Sequence, residues 1–334
     1  MLIELIQNLN CISLIGMCKN SGKTTALTRL LRELDEKNFT VAITSIGRDG
    51  ESTDIVTGTG KPSVFVRAGT LAATASQLLP ECFVTREILD TTDISTPMGK
   101  VVLFRALSDG NIQIAGPSIA SQLMVVRDLF THFSADKILI DGALGRRATA
   151  STLLSEGIIL CTGASLHPDI ERVVADTVFV YRTLSLPACE FVPPHAAGDA
   201  GKYICITDSD ISFCSELDHI SALVGITRLL RLFLPGAFTD TVANHLIKLG
   251  RKVDGLEVVA ADSSKILFSR QSYEKLQARG IFVTVERKTT VLAVTINPIS
   301  AYGWEFDKAE LQRKLQTHID VPVLNVWDEE GASK

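Results

Sequence analysis

The sequence predicts an α/β protein: a wound, mostly parallel sheet with helices on its faces, and a second, smaller α/β unit. Three observations carry this. Short β-branched and apolar runs alternate with segments whose leucines recur at helical spacing, the rhythm of strand–helix–strand units. The first such run, 11–15, passes through a glycine-containing loop straight into an amphipathic helix. Past the middle of the chain, a stretch holding Pro187, Pro193, Pro194, Gly198 and Gly201 interrupts the rhythm. At roughly 150 residues per domain, 334 residues make about two domains. The division expected is a first domain over 1–190, a linker over 191–201 and a smaller domain over 202–334.

The elements follow in order. After the 11–15 strand, a helix over 23–37 carries Leu27, Leu30, Leu31 and Leu34 on one face. Strands follow at 39–46, 63–66 and 101–104, the last pairing as a hairpin with 111–115 across Ser108-Asp109-Gly110. A helix over 118–133 leads to the strand 137–140, which ends at Asp141-Gly142. A strand at 157–162 and a helix over 168–184 complete the first half. Beyond the linker, strands are expected at 203–207, 229–234, 256–260, 281–286, 291–296 and 321–326. Helices fill 240–249, 273–279 and 307–317. These later strands form a separate unit or else extend the first sheet.

Composition excludes several classes of function. With 46% hydrophobic and 21% charged residues the chain can bury a large core, so it is not disordered. The 33 basic and 38 acidic side chains leave a net charge of −5. The nearest approaches to basic clusters, Arg228/Arg231, Arg251-Lys252 and Arg287-Lys288, are short and separated, which argues against nucleic-acid binding. Seven cysteines without a CxxC pair fit reduced thiols better than a disulfide frame or a zinc knuckle. Met1-Leu2-Ile3-Glu4 lacks the basic start of a signal peptide, and apolar runs such as 157–161 and 229–235 are too short to span a bilayer. The expectation is a soluble cytoplasmic protein with no membrane partner.

The motif that stands above this background is Gly16-Met17-Cys18-Lys19-Asn20-Ser21-Gly22-Lys23-Thr24-Thr25, set between strand and helix. Glycines let backbone N–H groups turn inward around phosphate oxygens, and the helix N-terminus adds its partial positive charge. In that reading Gly16, Asn20, Ser21, Gly22, Lys23, Thr24 and Thr25 bind a nucleotide. Lys23 reaches the β- and γ-phosphates, and the Thr24 hydroxyl ligates Mg²⁺. The fold is then of the P-loop NTPase type. The spacing is off the strict pattern, because five residues instead of four separate Gly16 from Gly22. Either the loop is one residue longer or Met17 takes a conformation that glycine adopts more readily. The loop is similar to the deviant loops of the dimeric P-loop ATPases, whose extra lysine sits one position further upstream than Lys19. Lys19 then neutralises transition-state charge at a phosphate, in a homodimer if the likeness extends so far, or it is a solvated lysine. Cys18 is an oxidation-sensitive thiol or simply a small half-buried side chain.

A phosphate loop needs a carboxylate near its metal. The strand ending Ile140-Asp141-Gly142 offers Asp141, although apolar strands also end in Asp-Gly at ordinary turns. The stretch from Ser45 to Asp54 emerges at the carboxyl edge of the sheet, where ligands bind in open α/β folds. It carries Arg48, Asp49, Glu51 and Asp54. Asp49 either positions the attacking water or belongs to a polar turn. Arg146 and Arg147 either reach the γ-phosphate or are surface charges. The absence of an Asn-Lys-x-Asp element points to ATP over GTP, and Asn297-Pro298 is an adenine contact or a turn. His167-Pro168-Asp169 reads as a loop feeding a helix, and the six histidines lack metal-ligand spacing.

Four stretches carry a resemblance to a known family. They are the 16–25 loop, Thr44-Ser-Ile-Gly-Arg-Asp-Gly-Glu51, Ala106-Leu-Ser-Asp-Gly110 with Ala115-Gly-Pro-Ser118, and Ile140-Asp-Gly-Ala-Leu144. Over roughly the first 190 residues the chain resembles the P-loop subunit of the lysine 5,6-aminomutase reactivases. Its loop is shared more widely, with dethiobiotin-synthetase-like and molybdenum-cofactor-related nucleotide-binding proteins. The resemblance implies ATP-driven exchange of a damaged cobalamin for an intact one on an adenosylcobalamin-dependent amino-acid mutase, acting with a partner ATPase. It implies ATP and Mg²⁺ as ligands, a nucleotide-binding Lys23 and Thr24, and roles by position for Asp49 and Asp141. Two other functions compete: a dethiobiotin-synthetase-like ligase or kinase, and a nucleotide sensor with little hydrolysis.

Overall fold

The computed structural model describes residues 2–47, 63–143, 152–193 and 201–326. After a one-turn helix α1 (Leu2–Leu5), strand β1 (Cys11–Gly16) is buried from end to end. Helix α2 (Lys23–Asp35) and strands β2 (Val41–Ser45), β3 (Val64–Val66), β4 (Leu71–Ala75), β5 (Arg86–Thr96), β6 (Gly99–Ala106) and β7 (Gly110–Ile112) follow. Then come α3 (Ala120–His132), β8 (Lys137–Ala143), β9 (Gly157–Gly163) and α4 (Ile170–Leu184).

The later part contains β10 (Tyr203–Thr207), β11 (Ile211–Cys214), α5 (Leu217–Leu223), β12 (Leu229–Phe233), α6 (Asp240–Lys248), β13 (Glu257–Asp262), α7 (Arg270–Ala278) and β14 (Phe282–Arg287). The chain ends through β15 (Val291–Asn297), α8 (Lys308–Gln316) and β16 (Val323–Asn325).

Nine strands form the large sheet in the order β16-β15-β9-β1-β8-β2-β4-β6-β5. From β16 to β4 every neighbour is parallel, and β6 and β5 close the far side antiparallel. Parallel strands covered on both faces have no solvent side, which is why β1, β2 and β9 read as continuous apolar runs. The α2 leucines at 27, 30, 31 and 34 pack with Ile12, Leu14, Ile43, Leu139 and Ile159. Burying one such leucine contributes about 1.5–3 kcal/mol. On the other face Leu123, Val126 and Phe130 of α3 meet Cys11, Ala42, Ile138 and Ile140. The α/β class and the large parallel sheet are as the sequence predicts.

The hairpin between β6 and 111–115 does not form. Both edges of β6 are taken by β4 and β5, and β7 pairs with β3 instead, Val64 opposite Ile112. The expected boundaries also shift. One compact unit comprises Met1–Val178 with Thr290–Lys334, and the other is Phe179–Thr289. The smaller unit is an insertion before β15, not the whole of 202–334, because β15 pairs with β9 and returns the chain to the first sheet. Its own sheet runs β11-β10-β12-β13-β14, with a core from Leu232, Phe238, Leu246, Val258 and Leu276. The proline-rich stretch is partly structured: Val285 N–H donates to the Pro187 carbonyl and Cys189 N–H to that of Val285. Residues 194–200 of the expected linker lie outside the described residues.

Candidate phosphate-binding site

The 16–25 loop leaves the centre of the large sheet at its carboxyl edge. Gly16 still belongs to β1, level with Ala143 and Cys161, and Met17 N–H extends the ladder to the Cys161 carbonyl at 2.9 Å. This resolves the off-pattern spacing. Met17 has no positive φ, and the turn proper begins one residue later, with Asn20 (φ 61°) and Gly22 (φ 84°) in the left-handed region. Gly22 is the N-cap of α2, a backbone state that favours glycine, and its carbonyl accepts from Ala26 N–H at 3.0 Å. Lys23, Thr24 and Thr25 form the first turn of α2, whose leading N–H groups have no partner within the helix.

Space inside the loop is tight. A Cβ on Gly16 would stand 2.7 Å from Ser21 Oγ and 3.5 Å from the Lys23 side chain. Ser21 is buried, and among the described residues its hydroxyl has no hydrogen-bond partner. Lys23 Nζ lies 2.7 Å from Asp141 Oδ1, each side chain about a quarter exposed. Parallel pairing of β1 with β8 sets Asp141 level with Leu14, two residues below the loop, so the lysine reaches back over the strand end to meet it. Lys19 and Asn20 are exposed, whereas Thr24 and Thr25 are half-buried. Asp49 lies outside the described residues, as do Arg48, Glu51, Asp54, Arg146 and Arg147.

Neighbouring strand ends complete the edge. Ser45 of β2 is level with Asp141, and Ile46 N–H donates to the Asp141 carbonyl at 2.9 Å. Gly116 N–H donates to Ser45 Oγ at 3.2 Å and Gly47 N–H to the Pro117 carbonyl at 2.9 Å. The Ala115-Gly-Pro segment therefore abuts the end of β2 next to Asp141. On the opposite flank, Asn297 at the end of β15 is buried. Its Nδ2 donates to the Asn20 carbonyl at 3.0 Å, and its Oδ1 accepts from Ile299 N–H at 3.1 Å. Sequence reasoning offered Asn297 as a base contact or turn and missed this tie to the loop. An asparagine closing an apolar strand was the one signal that pointed to it.

Two thiols flank the site. Burial pushes Cys18 and Cys161 each up to about 11, so neither is a thiolate at neutral pH. That favours the blander reading of Cys18. His167 accepts from Asp169 N–H and Asp169 from Glu171 N–H, so the His-Pro-Asp run does feed α4.

The residues fit a polyphosphate with a hard cation. The loop holds an orphaned buried hydroxyl, a glycine whose missing Cβ lets Ser21 and Lys23 approach closely, a left-handed N-cap and two lysines, Lys19 and Lys23. The Thr24 hydroxyl and the Asp141 carboxylate are oxygen donors of the kind Mg²⁺ takes. Among the described residues no group of three or more His, Cys, Asp or Glu could hold a metal alone, and no helix is long and apolar enough to cross a membrane. No family profile matches this sequence, and no curated protein matches it.

Proposed function

We propose that this chain is a P-loop NTPase that binds ATP with Mg²⁺ and hydrolyses it, serving as the nucleotide-driven component of a reactivase for an adenosylcobalamin-dependent amino-acid mutase. The observation that carries the nucleotide part is the Lys23–Asp141 pair at 2.7 Å, placed where a left-handed glycine opens α2. The reactivase part rests on the stretches resembling that family.

In this reading the α2 N–H groups and those of residues 18–22 cradle the phosphates, and Lys23 leaves Asp141 for the β- and γ-oxygens. Thr24 and Asp141 would hold Mg²⁺, which when bound offsets charge on those oxygens. Asp49 orients the attacking water, and Lys19 adds positive charge near the γ-phosphate. Hydrolysis then alters the grip on the mutase through the segment after β2.

The test is steady-state ATP hydrolysis with and without a mutase loaded with inactive cobalamin. Slow basal turnover, stimulated by that mutase and abolished by Lys23→Ala, is expected. Turnover indifferent to the mutase would remove the reactivase role, and turnover indifferent to Lys23→Ala would remove the site.

A further inference from the structure

The loop after β15 carries two aromatic side chains that the phosphate site does not use. Tyr302 and Trp304 stack with ring centroids 5.6 Å apart and planes 25° from parallel. Tyr302 remains 47% exposed, so an aromatic ring backed by an indole keeps much of its surface open to solvent. Burial of apolar surface alone does not account for such a placement.

The loop is tied down around this pair. Trp304 Nε1 donates to the Ala164 carbonyl at 2.9 Å, Ala301 N–H to Ser165 Oγ at 3.2 Å, and Ser300 N–H to the Trp304 carbonyl at 2.9 Å. Ala164 directly follows β9, whose Cys161 carbonyl holds Met17 of the phosphate loop. Asn297, at the root of the aromatic loop, holds the Asn20 carbonyl. The two loops thus emerge at one sheet edge and share anchors. Their strands are separated only by β9, so at about 4.8 Å per strand the loop roots lie about 10 Å apart. That is within reach of a nucleotide lying across the edge. The Asn297 amide is engaged with the backbone on both sides, which ties the root of the aromatic loop to the 16–25 loop.

We propose that the Tyr302–Trp304 pair is the base platform of the nucleotide site, stacking the purine of ATP on the exposed ring of Tyr302; this rests on the phosphate-loop reading above. Stacking tolerates any base with a large π-face, so the platform supplies affinity for a nucleoside triphosphate over inorganic polyphosphate.

The test is calorimetric titration of the full chain with ATP and with inorganic tripolyphosphate, each with Mg²⁺. Tyr302→Ala is expected to weaken ATP about tenfold and leave tripolyphosphate unchanged, while Tyr302→Phe keeps both within about twofold. Unaltered ATP affinity in Tyr302→Ala would overturn the proposal, and so would an equal loss for both ligands, which marks a structural role. If wild type takes up neither ligand, the phosphate-loop reading fails and carries the platform with it. Tripolyphosphate binding without tighter ATP binding overturns the platform alone.

Discussion

Lys23 and Asp141 answer each other across the end of β1, and in the second unit Glu257 and Arg231 make a comparable pair in a different setting. Glu257 accepts from Arg231 Nε at 2.5 Å and from Thr284 Oγ1 at 2.8 Å. Burial raises the carboxyl, but the Thr284, Arg231 and Cys189 hydrogen bonds together with the Arg231 charge outweigh it and hold the pKa below 4.5. A carboxyl depressed in the folded state stabilises the fold above its unfolded value. That contribution fades as pH falls through the folded value. Glu257→Gln should therefore lower stability at pH 7 by about 1 kcal/mol, with the gap to wild type closing on acidification below pH 4.5. Urea unfolding at pH 7 and in the acid range measures it, and a gap independent of pH would contradict the assignment.

At the scale of elements, α1 shows how a single buried charge can hold a segment that propensity does not. Four residues are too few for a stable helix alone. Lys137, only 3% exposed, donates to the carbonyls of Ile6, Gln7 and Leu9 at 3.1, 2.8 and 2.6 Å and lies over the Phe39 ring. At the start of α1, Glu33 of α2 accepts from Ile3 N–H at 2.8 Å. Lys137→Met should cost about 2–3 kcal/mol, because it leaves buried carbonyls without a donor. Chemical denaturation checks this, and a loss under about 0.5 kcal/mol would show that water replaces the ammonium. Sequence periodicity could not have found α1, since its partners lie at positions 33 and 137. It also passed over β4 and β5. The Leu-Ala-Ala-Thr-Ala run of β4 lacks β-branched bulk, and β5 is an edge strand whose polar side chains face solvent. The 11–15 and 137–140 strands and the α2 stripe were legible because both signals, apolar continuity and 3.6-residue spacing, coincide with burial.

For the whole molecule, the rhythm of strands and helices revealed the α/β class but not which sheet each strand joins. Strands β14 and β15 are separated by three residues, yet belong to different sheets. Nothing local in Val291–Asn297 announces that β9, more than a hundred residues earlier, is its neighbour. The 16–25 motif was legible because its residues are contiguous in sequence, whereas Asn297 meets the loop only through the fold. Separate cores make a further expectation. Leu246→Ala removes a fully buried side chain of the second unit and should destabilise that unit by about 2–5 kcal/mol. Scanning calorimetry of the variant should show one early transition from the second unit and one near the wild-type position, with ATP affinity unchanged. A single transition shifted as a whole would show that the units unfold together.

Whether the 16–25 loop takes a nucleotide decides the function of the whole chain. Isothermal titration of the full chain with ATP in the presence of magnesium should give saturable binding, weakened at least about tenfold by Lys23→Ala in a variant that melts like wild type. Absence of binding by the wild-type chain, or identical binding by the variant, would contradict a phosphate site at this loop.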